Sequence, residues 1–248
     1  LLLVFPGQDI TPEQHIAFSR RFGELEIHPL FHYRHPQYPE IFYLTNKQVN
    51  GKPSETRKQG RTWHSDMSYT TRPPTGSLLH GREVPDYGGD TMFANMYLAY
   101  ETLSDRLKAI VDELECVHRL MSSYTPERFA EKDPKQLAEL LAANPPVVQP
   151  LVRVHPESGR RALYLGNLIT HFVGMTREES RLLIDFLNGH AVQPEFCYRH
   201  RWNRHDILMW DNRCLMHKAI GDHDGTGQVR EMFRTTLTGS PSGRVYAA

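Results

Sequence analysis

Read for its hydrophobic and polar positions, the chain separates into three helical patterns set among many short strand-like runs. "TPEQHIAFSRRFG" predicts a helix with Thr11 as cap and Pro12 at the first helical position. Gln14 completes a capping box and Gly23 ends the helix. "SDRLKAIVDEL" places Leu107, Ile110, Val111 and Leu114 on one helical face behind a Ser104 cap. "TREESRLLIDFLNGH" repeats the design. Thr176 and Glu179 form its capping box, Leu182, Leu183, Phe186 and Leu187 its apolar stripe, and Asn188-Gly189 its stop.

Between these helices run "EIFYLTN", "GSLLHGREV", "VVQPLVRVH", "RALYLG", "EFCYRHRW", "DILMWD" and "REMFRTTLTG". Each is rich in β-branched or aromatic residues, roughly alternating, and bounded by Pro, Gly or Asn, as strands are. Many short strands with a few peripheral helices predict a mainly β, closed or double-sheet architecture of jelly-roll type. Strand and helix do not alternate regularly, which weighs against a doubly wound parallel sheet. Residues 121–146 are polar, hold a short helical pattern and look inserted. They read equally as a lid over a site or as a solvated excursion.

Composition narrows the class. The 248 residues suit one large domain or two small ones, one being favoured for a β-barrel type, and 39% hydrophobic with 23% charged residues allows a sizeable core in a soluble chain. Lys plus Arg equals Asp plus Glu at 29 each, so no broad positive field is present for nucleic acid or an anionic membrane. A few arginines in a cleft could still take an anionic small molecule. Cys116, Cys197 and Cys214 lie far apart without CxxC spacing and read as reduced thiols of a cytoplasmic protein. No apolar run approaches the roughly 18 residues of a membrane span. "LLLVF" runs into "PGQ" like a strand ending in a turn. The chain lacks an initiator Met, so residues are expected to precede it. Oligomeric state, including a homo-oligomer, is left open.

Candidate chemistry centres on "GRTWHSDMSY". On a strand, side chains at i and i+2 share a face, so His64 and Asp66 would reach one common point, and a metal is one thing that could sit there. An edge strand with two solvated polar residues is the other reading. A 2-His-1-carboxylate iron(II) site needs one further histidine from another strand. His217, at the end of "DILMWDNRCLMH", is the candidate, against a purely structural histidine. Arg230 and Arg234 in "VREMFRTTLTG" would share a strand face about 13 Å apart. Two inward cations are costly unless anions pair with them, and a bound dicarboxylate would do so; on an edge strand both would simply face water.

"TWHSD", "RPPTG", "EVPDYGGDTMF", "LVRVHPESGRRALYLG", "FCYRHRWNRHDILMWDNRCLMH" and "REMFRTT" occur in the order found in the taurine dioxygenase/2,4-D dioxygenase family, which the chain resembles along nearly its whole length. The resemblance implies one domain over residues 1–248 with a double-stranded β-helix of the clavaminate synthase-like kind. It also implies an enzyme that uses iron(II), 2-oxoglutarate and dioxygen to hydroxylate a small organic acid, releasing succinate and carbon dioxide. In that family's pattern His64, Asp66 and His217 match the iron ligands. Thr91 and Arg230 match the residues that hold the distal carboxylate of 2-oxoglutarate. Arg234 matches an arginine near the metal-side carboxylate and the substrate's acid group.

His28 resembles a substrate-contacting histidine of the taurine branch, but Phe31 and Gly60 stand where that branch has a tyrosine and an asparagine. Losing two polar partners would cost a buried sulfonate roughly 1–3 kcal/mol each, which argues against taurine. "YRHRWNRHDILMWDNRC" is closer to the aryloxyalkanoate branch, so the expected substrate is a small acid, aryloxyalkanoate- or sulfonate-like, with an apolar body. Two other classes compete. A zinc hydrolase on the same three ligands would leave Thr91, Arg230 and Arg234 without roles. A non-catalytic jelly-roll module for an anion would not need the triad. A helical set of His28, His32 and His35 is interrupted by Pro29 and Pro36.

Overall fold

The computed structural model describes residues 1–28, 33–49, 51–120 and 134–247. Its largest sheet has five antiparallel strands in the order Leu2–Phe5, Ile207–Asp211, Gly76–Glu83, Glu231–Leu237 and Phe42–Thr45. A three-stranded sheet orders Cys197–His200, Thr91–Asn95 and Leu215–Ala219. A four-stranded sheet continues that side with Ile169–Phe172, Glu115–His118, Val147–Pro150 and Arg244–Val245. Neighbouring strands come from opposite ends of the sequence, so the two layers wind around each other as a double-stranded β-helix, the jelly roll expected from the strand pattern.

Each layer turns alternate residues inward. Leu79, Phe93, Trp202, Leu208, Trp210, Leu215 and Met232 meet between the five- and three-stranded sheets. A second core forms outside the smaller sheets. There Met96, Tyr97, Leu163, Phe172, Ile184 and Leu187 pack the helices Met96–Glu101 and Arg177–Ala191 against the strands.

The helix starts follow the capping chemistry. Thr11 accepts from Gln14 N while the Gln14 side chain accepts from Thr11 N, and the helix Pro12–Ser19 tightens into a 3₁₀ turn before Gly23. Thr176 and Glu179 form the same reciprocal pair. Two expectations for this last helix fail. It runs through Asn188-Gly189 to Ala191, and it leaves Leu182 82% and Phe186 54% exposed. Leu183 and Leu187 of the expected stripe do pack inward, and Ile184 and Ala191 complete it, fixed by Ser180, whose hydroxyl donates to Thr176 O and accepts from Phe172 N. In the helix Asp105–Val111, Ile110 likewise faces out while Val111 is buried.

Residues 121–133 of the inserted segment lie outside the described residues. Its remainder forms a helix, Pro134–Ala143, whose Leu137 and Leu140 pack with Met67, Tyr69, Leu120 and Leu168. Among the described residues no helix is long and apolar enough to cross a membrane. The three cysteines form no disulfide, and Cys116 and Cys214 are buried.

Candidate active site

His217 lies in the strand Leu215–Ala219, facing the strand Thr91–Asn95 in the register His217↔Phe93 and Ala219↔Thr91. Its ring packs against Trp210 at 4.7 Å and Phe93 at 6.1 Å between centroids. His64 is not in a regular strand, contrary to the sequence expectation. It makes a single antiparallel bridge to His217, with His64 N donating to His217 O at 3.1 Å and His217 N donating to His64 O at 2.9 Å. Directly paired residues project to one side, so the two imidazoles stand 4.2 Å apart. On its other side the segment is clamped by Gly166 and by Asn167 N, which donates to Trp63 O at 3.1 Å. A Cβ on Gly166 would lie 3.1 Å from His64 Cα, and its φ of 133° suits glycine.

After His64 the chain turns. Met67 adopts φ 45°, a conformation uncommon for a side-chain-bearing residue and often found where strain serves a site. This turn, not a pleated strand, brings Asp66 back to the histidines. Asp66 Oδ1 lies 3.8 Å from His64 Nε2 and 3.9 Å from His217 Nε2, and one donor atom from each residue falls within 4.8 Å of the others.

Several bonds fix how these donors face. Thr62 O sits 2.7 Å from His64 Nδ1, so that nitrogen carries the proton and Nε2 presents its lone pair inward. Burial, with the neighbouring His64, pushes His217 down to about 3, so it is a neutral donor. Burial alone would push the Asp66 carboxyl up, but Arg234, with His217, His64 and Ser77, outweighs it and holds the group well below the usual carboxylate range. Ser77 Oγ donates to Asp66 Oδ2 at 2.8 Å and Arg234 Nη1 to Oδ1 at 2.7 Å. Two imidazoles, that of His217 neutral, and one carboxylate converge and fit a divalent ion of the 2-His-1-carboxylate type.

A second His/Asp/Cys group, His155, Asp211 and Cys214, is equally close-set. Its polar atoms already serve one another. His155 Nε2 bonds Asp211 Oδ2 at 3.0 Å, and Arg213 donates to both Asp211 oxygens. This group reads as a structural lock.

Arg234 belongs to the strand Glu231–Leu237, whereas Arg230 precedes it, so the two do not share a strand face as expected. Arg230 Nε donates to Gly89 O at 2.9 Å, which fixes the guanidinium plane. Burial, with the nearby Arg61, pushes Arg230 down to about 10, still charged at neutral pH. Thr91 lies one hydrogen-bonded pair beyond His217's partner on the same face, roughly 7 Å along the strand. Trp202 Nε1 donates to Thr91 Oγ1 at 3.0 Å. An indole can only donate, so the threonine's own proton remains to be given to an acceptor.

Next to Arg234 is a small pocket lined by Glu26, His28, Glu40, Phe42, Met67 and Thr236. His28 stacks flat on Phe42 at 4.8 Å, and Phe42 in turn lies under the Arg234 guanidinium at 4.6 Å. Among the described residues, the buried Arg234 Nε has no hydrogen-bond partner. His28 thus lines this pocket, and Arg234 adjoins it through Phe42; Phe31 and His32 fall outside the described residues. Sequence reasoning did not single out Glu26, Phe42, Ser77, Gly166 or Trp202. Phe42 pairs in register with Arg234, a relation that appears only once the strands are paired.

Residues 1–236 match the family described as "Taurine catabolism dioxygenase TauD, TfdA family". The chain belongs to this family. A 2,4-dichlorophenoxyacetate dioxygenase of Burkholderia sp. (strain RASC), described as alpha-ketoglutarate-dependent, is 36% identical over 99% of this chain and 86% of its own. Two solved structures are also similar. AAD-2 in complex with Mn(II) and N-oxalylglycine matches with a TM-score of 0.82 and 37% identity, covering 97% of this chain and 86% of that one. A taurine dioxygenase from Burkholderia xenovorans matches with a TM-score of 0.80 and 33% identity, covering 100% of this chain and 81% of that one. As a TauD, TfdA family member the protein is a 2-oxoglutarate-dependent dioxygenase that uses iron(II) and dioxygen, and the hydrolase and binding-module readings give way to it.

Proposed function

We propose that His64, Asp66 and His217 are the iron(II) ligands, that Thr91 and Arg230 hold the distal carboxylate of 2-oxoglutarate, and that Arg234 receives the acid group of the substrate. The observation that carries this reading is the convergence of two imidazoles and one ionised carboxylate, with His217 and Asp66 buried. When bound, iron(II) couples oxidative decarboxylation of 2-oxoglutarate to hydroxylation of a substrate C–H bond by dioxygen.

The protein's part is to hold and orient. The Thr62 carbonyl keeps the His64 lone pair inward, and Ser77 engages Asp66 Oδ2 and so directs Oδ1 to the centre. Arg230, fixed by Gly89, and the Thr91 proton, directed by Trp202, present a cation and a donor to one carboxylate. The partnerless Arg234 Nε, braced on Phe42, offers a buried donor to a second acid. His28, Phe42 and Met67 line the space beyond it. The substrate is accordingly a small organic acid with an apolar body, in keeping with the aryloxyalkanoate that the Burkholderia relative is named for.

The test is an anaerobic titration of metal-stripped protein with iron(II) and 2-oxoglutarate, followed by the weak visible charge-transfer band. The band should form in the wild type and be lost in His64→Ala and His217→Ala. Its absence with both components in excess would sink this assignment.

A further inference from the structure

Asn212 follows directly on the strand Ile207–Asp211 and is 2% exposed. The register Trp210↔Ser77 sets those two residues opposite each other on neighbouring strands, and the Asn212 side chain bonds to both. Trp210 Nε1 donates to Asn212 Oδ1 at 2.8 Å, and Asn212 Nδ2 donates to Ser77 Oγ at 3.2 Å. Ser77 Oγ in turn donates to Asp66 Oδ2 at 2.8 Å. The direction of this relay is set at its start. An indole only donates, so the amide turns its oxygen to Trp210 and its N–H to Ser77. Ser77 has a single proton, and with the amide as donor that proton goes to Asp66. The backbone of Asn212 is tied as well. Its N donates to Thr75 O at 2.9 Å, and its O accepts at 2.7 Å from Ser65 Oγ, the residue between His64 and Asp66. The indole that starts the relay also packs on His217. One buried residue thus reaches the neighbours of all three triad members.

A carboxylate offers a cation one oxygen or both. A donor held on Oδ2 leaves Oδ1, which lies 3.8 Å from His64 Nε2 and 3.9 Å from His217 Nε2, as the oxygen presented to the centre. We propose that Asn212 is a positioning residue for the metal: it keeps the Ser77 proton on Asp66 Oδ2, so that the carboxylate presents Oδ1 alone. Asn212 acts through Ser77; among the described residues it makes no hydrogen bond to a triad side chain itself. This rests on the ligand assignment above and adds to it the residue that sets how the carboxylate is turned. Members of such a buried network depend on one another, and outer partners of metal ligands are worth roughly 10- to 100-fold in metal affinity.

Two readouts test it: Mn(II) binding to the metal-stripped protein by calorimetry, and the position of the charge-transfer band after anaerobic loading with iron(II) and 2-oxoglutarate. The wild type should bind Mn(II), and His64→Ala should not. Ser77→Ala and Asn212→Leu, the latter close to isosteric, should each bind Mn(II) about tenfold more weakly. Because the two changes break one relay, the double variant should lose no more than about threefold beyond the weaker single variant, whereas independent defects would multiply to about a hundredfold. Both single variants should move the band in the same direction, a signature that a packing defect alone would not share. Asn212→Ala, which leaves room for water beside the indole, is run alongside, and urea midpoints show which variants are folded. Mn(II) binding that survives His64→Ala would overturn the ligand assignment and this inference with it. With that assignment standing, a folded Asn212 variant within about threefold of wild type, or a double variant near a hundredfold, would overturn the role of Asn212 alone. So would a band that moves in Ser77→Ala and not in the Asn212 variants, or two Asn212 variants that fail to fold, which would make the residue a part of the core only.

Discussion

Replacing Arg234 with methionine removes the only guanidinium bonded to Asp66 among the described residues while keeping much of the side-chain volume. Asp66 is 4% exposed and Arg234 8%, with Nη1 to Oδ1 at 2.7 Å, so this is a buried pair. Breaking such a pair costs about 3–5 kcal/mol, because an uncompensated charge is left in the interior. Ser77 continues to donate to Oδ2, which favours the lower figure, about 3 kcal/mol. Urea unfolding of the metal-free protein reads this directly. With a slope of about 3 kcal/mol/M, the midpoint should fall by about 1 M. Saturating Mn(II) gives Asp66 a new countercharge and binds only the folded chain, so most of the deficit should disappear in its presence. Adding Asp66→Asn to Arg234→Met removes the stranded charge, and the double variant should be more stable than the sum of its parts by about 2 kcal/mol. Strict additivity, or a single variant within about 1 kcal/mol of wild type, would refute the view that Arg234 is the counterion of Asp66 in the metal-free protein.

Acid should destabilise the fold through three buried histidines outside the proposed metal centre. Burial, with neighbouring positive groups, pushes His15 and His118 down to about 3 and His80 to about 4, from 6.5. Between those values the unfolded chain binds more protons, so stability falls as pH drops below 6.5. The loss is about 1.4 kcal/mol per histidine at pH 5.5, to be followed by denaturant midpoints across pH; a flat profile from pH 7 to 5 would contradict it. Gly166→Ala should weaken Mn(II) binding at least tenfold by moving the His64 backbone, since its Cβ would stand 3.1 Å from His64 Cα in a conformation that disfavours side chains; unchanged affinity by calorimetry would show that the segment gives way freely. Arg230→Met should raise the half-saturating 2-oxoglutarate concentration in the charge-transfer titration by roughly 10- to 150-fold, the worth of a charge-assisted hydrogen bond. A change under threefold would move the distal carboxylate elsewhere.

The strands and helix starts could be read from the sequence because their causes are local: alternation, caps, and Pro or Gly boundaries. The capping boxes at Thr11 and Thr176 formed as expected. Helix faces were harder. Leu182 and Phe186 fit an apolar stripe as well as Ile184 and Leu187 do, and only the position of Ser180 against Phe172 decides between them. The strand Thr91–Asn95 was not expected, because "GGDTMFANMY" mixes turn signals with a helix cap at Asn95, yet it carries Thr91 to the site. The pairing of residues 64, 66 and 217 was accessible only as a pattern of residue types, since their separation along the chain encodes no distance. Glu26 and Phe42 gave no signal at all. Their relation to Arg234 comes from the bridge Leu25↔Leu237 and the register Arg234↔Phe42, both consequences of the closed fold.

The two halves of the proposed metal centre are built on different backbone, and this bears on how it would work. His217 sits in a regular strand with Trp210 and Phe93 against its ring, so its place is set by the core. His64 and Asp66 sit on a single bridge and a turn with Met67 in the left-handed region, held from one side by Gly166 and from the other by His217. A triad of three strand residues would be rigid but confined to the spacing of a pleated sheet. The turn lets Asp66 approach two imidazoles from a third direction, and it also places Met67 in the wall of the pocket shared with His28 and Phe42. Arg234 links these parts, since it bonds Asp66 through Nη1, rests on Phe42, and holds Nε ready for an acceptor. A metal ion that draws on the charge of Asp66 loosens its hold on Arg234 and strengthens the pull of that guanidinium on an incoming acid. On the proposed assignment, metal and substrate would therefore bind cooperatively through one shared arginine, so Mn(II) should tighten the binding of an acid in the wild type and not in Arg234→Met.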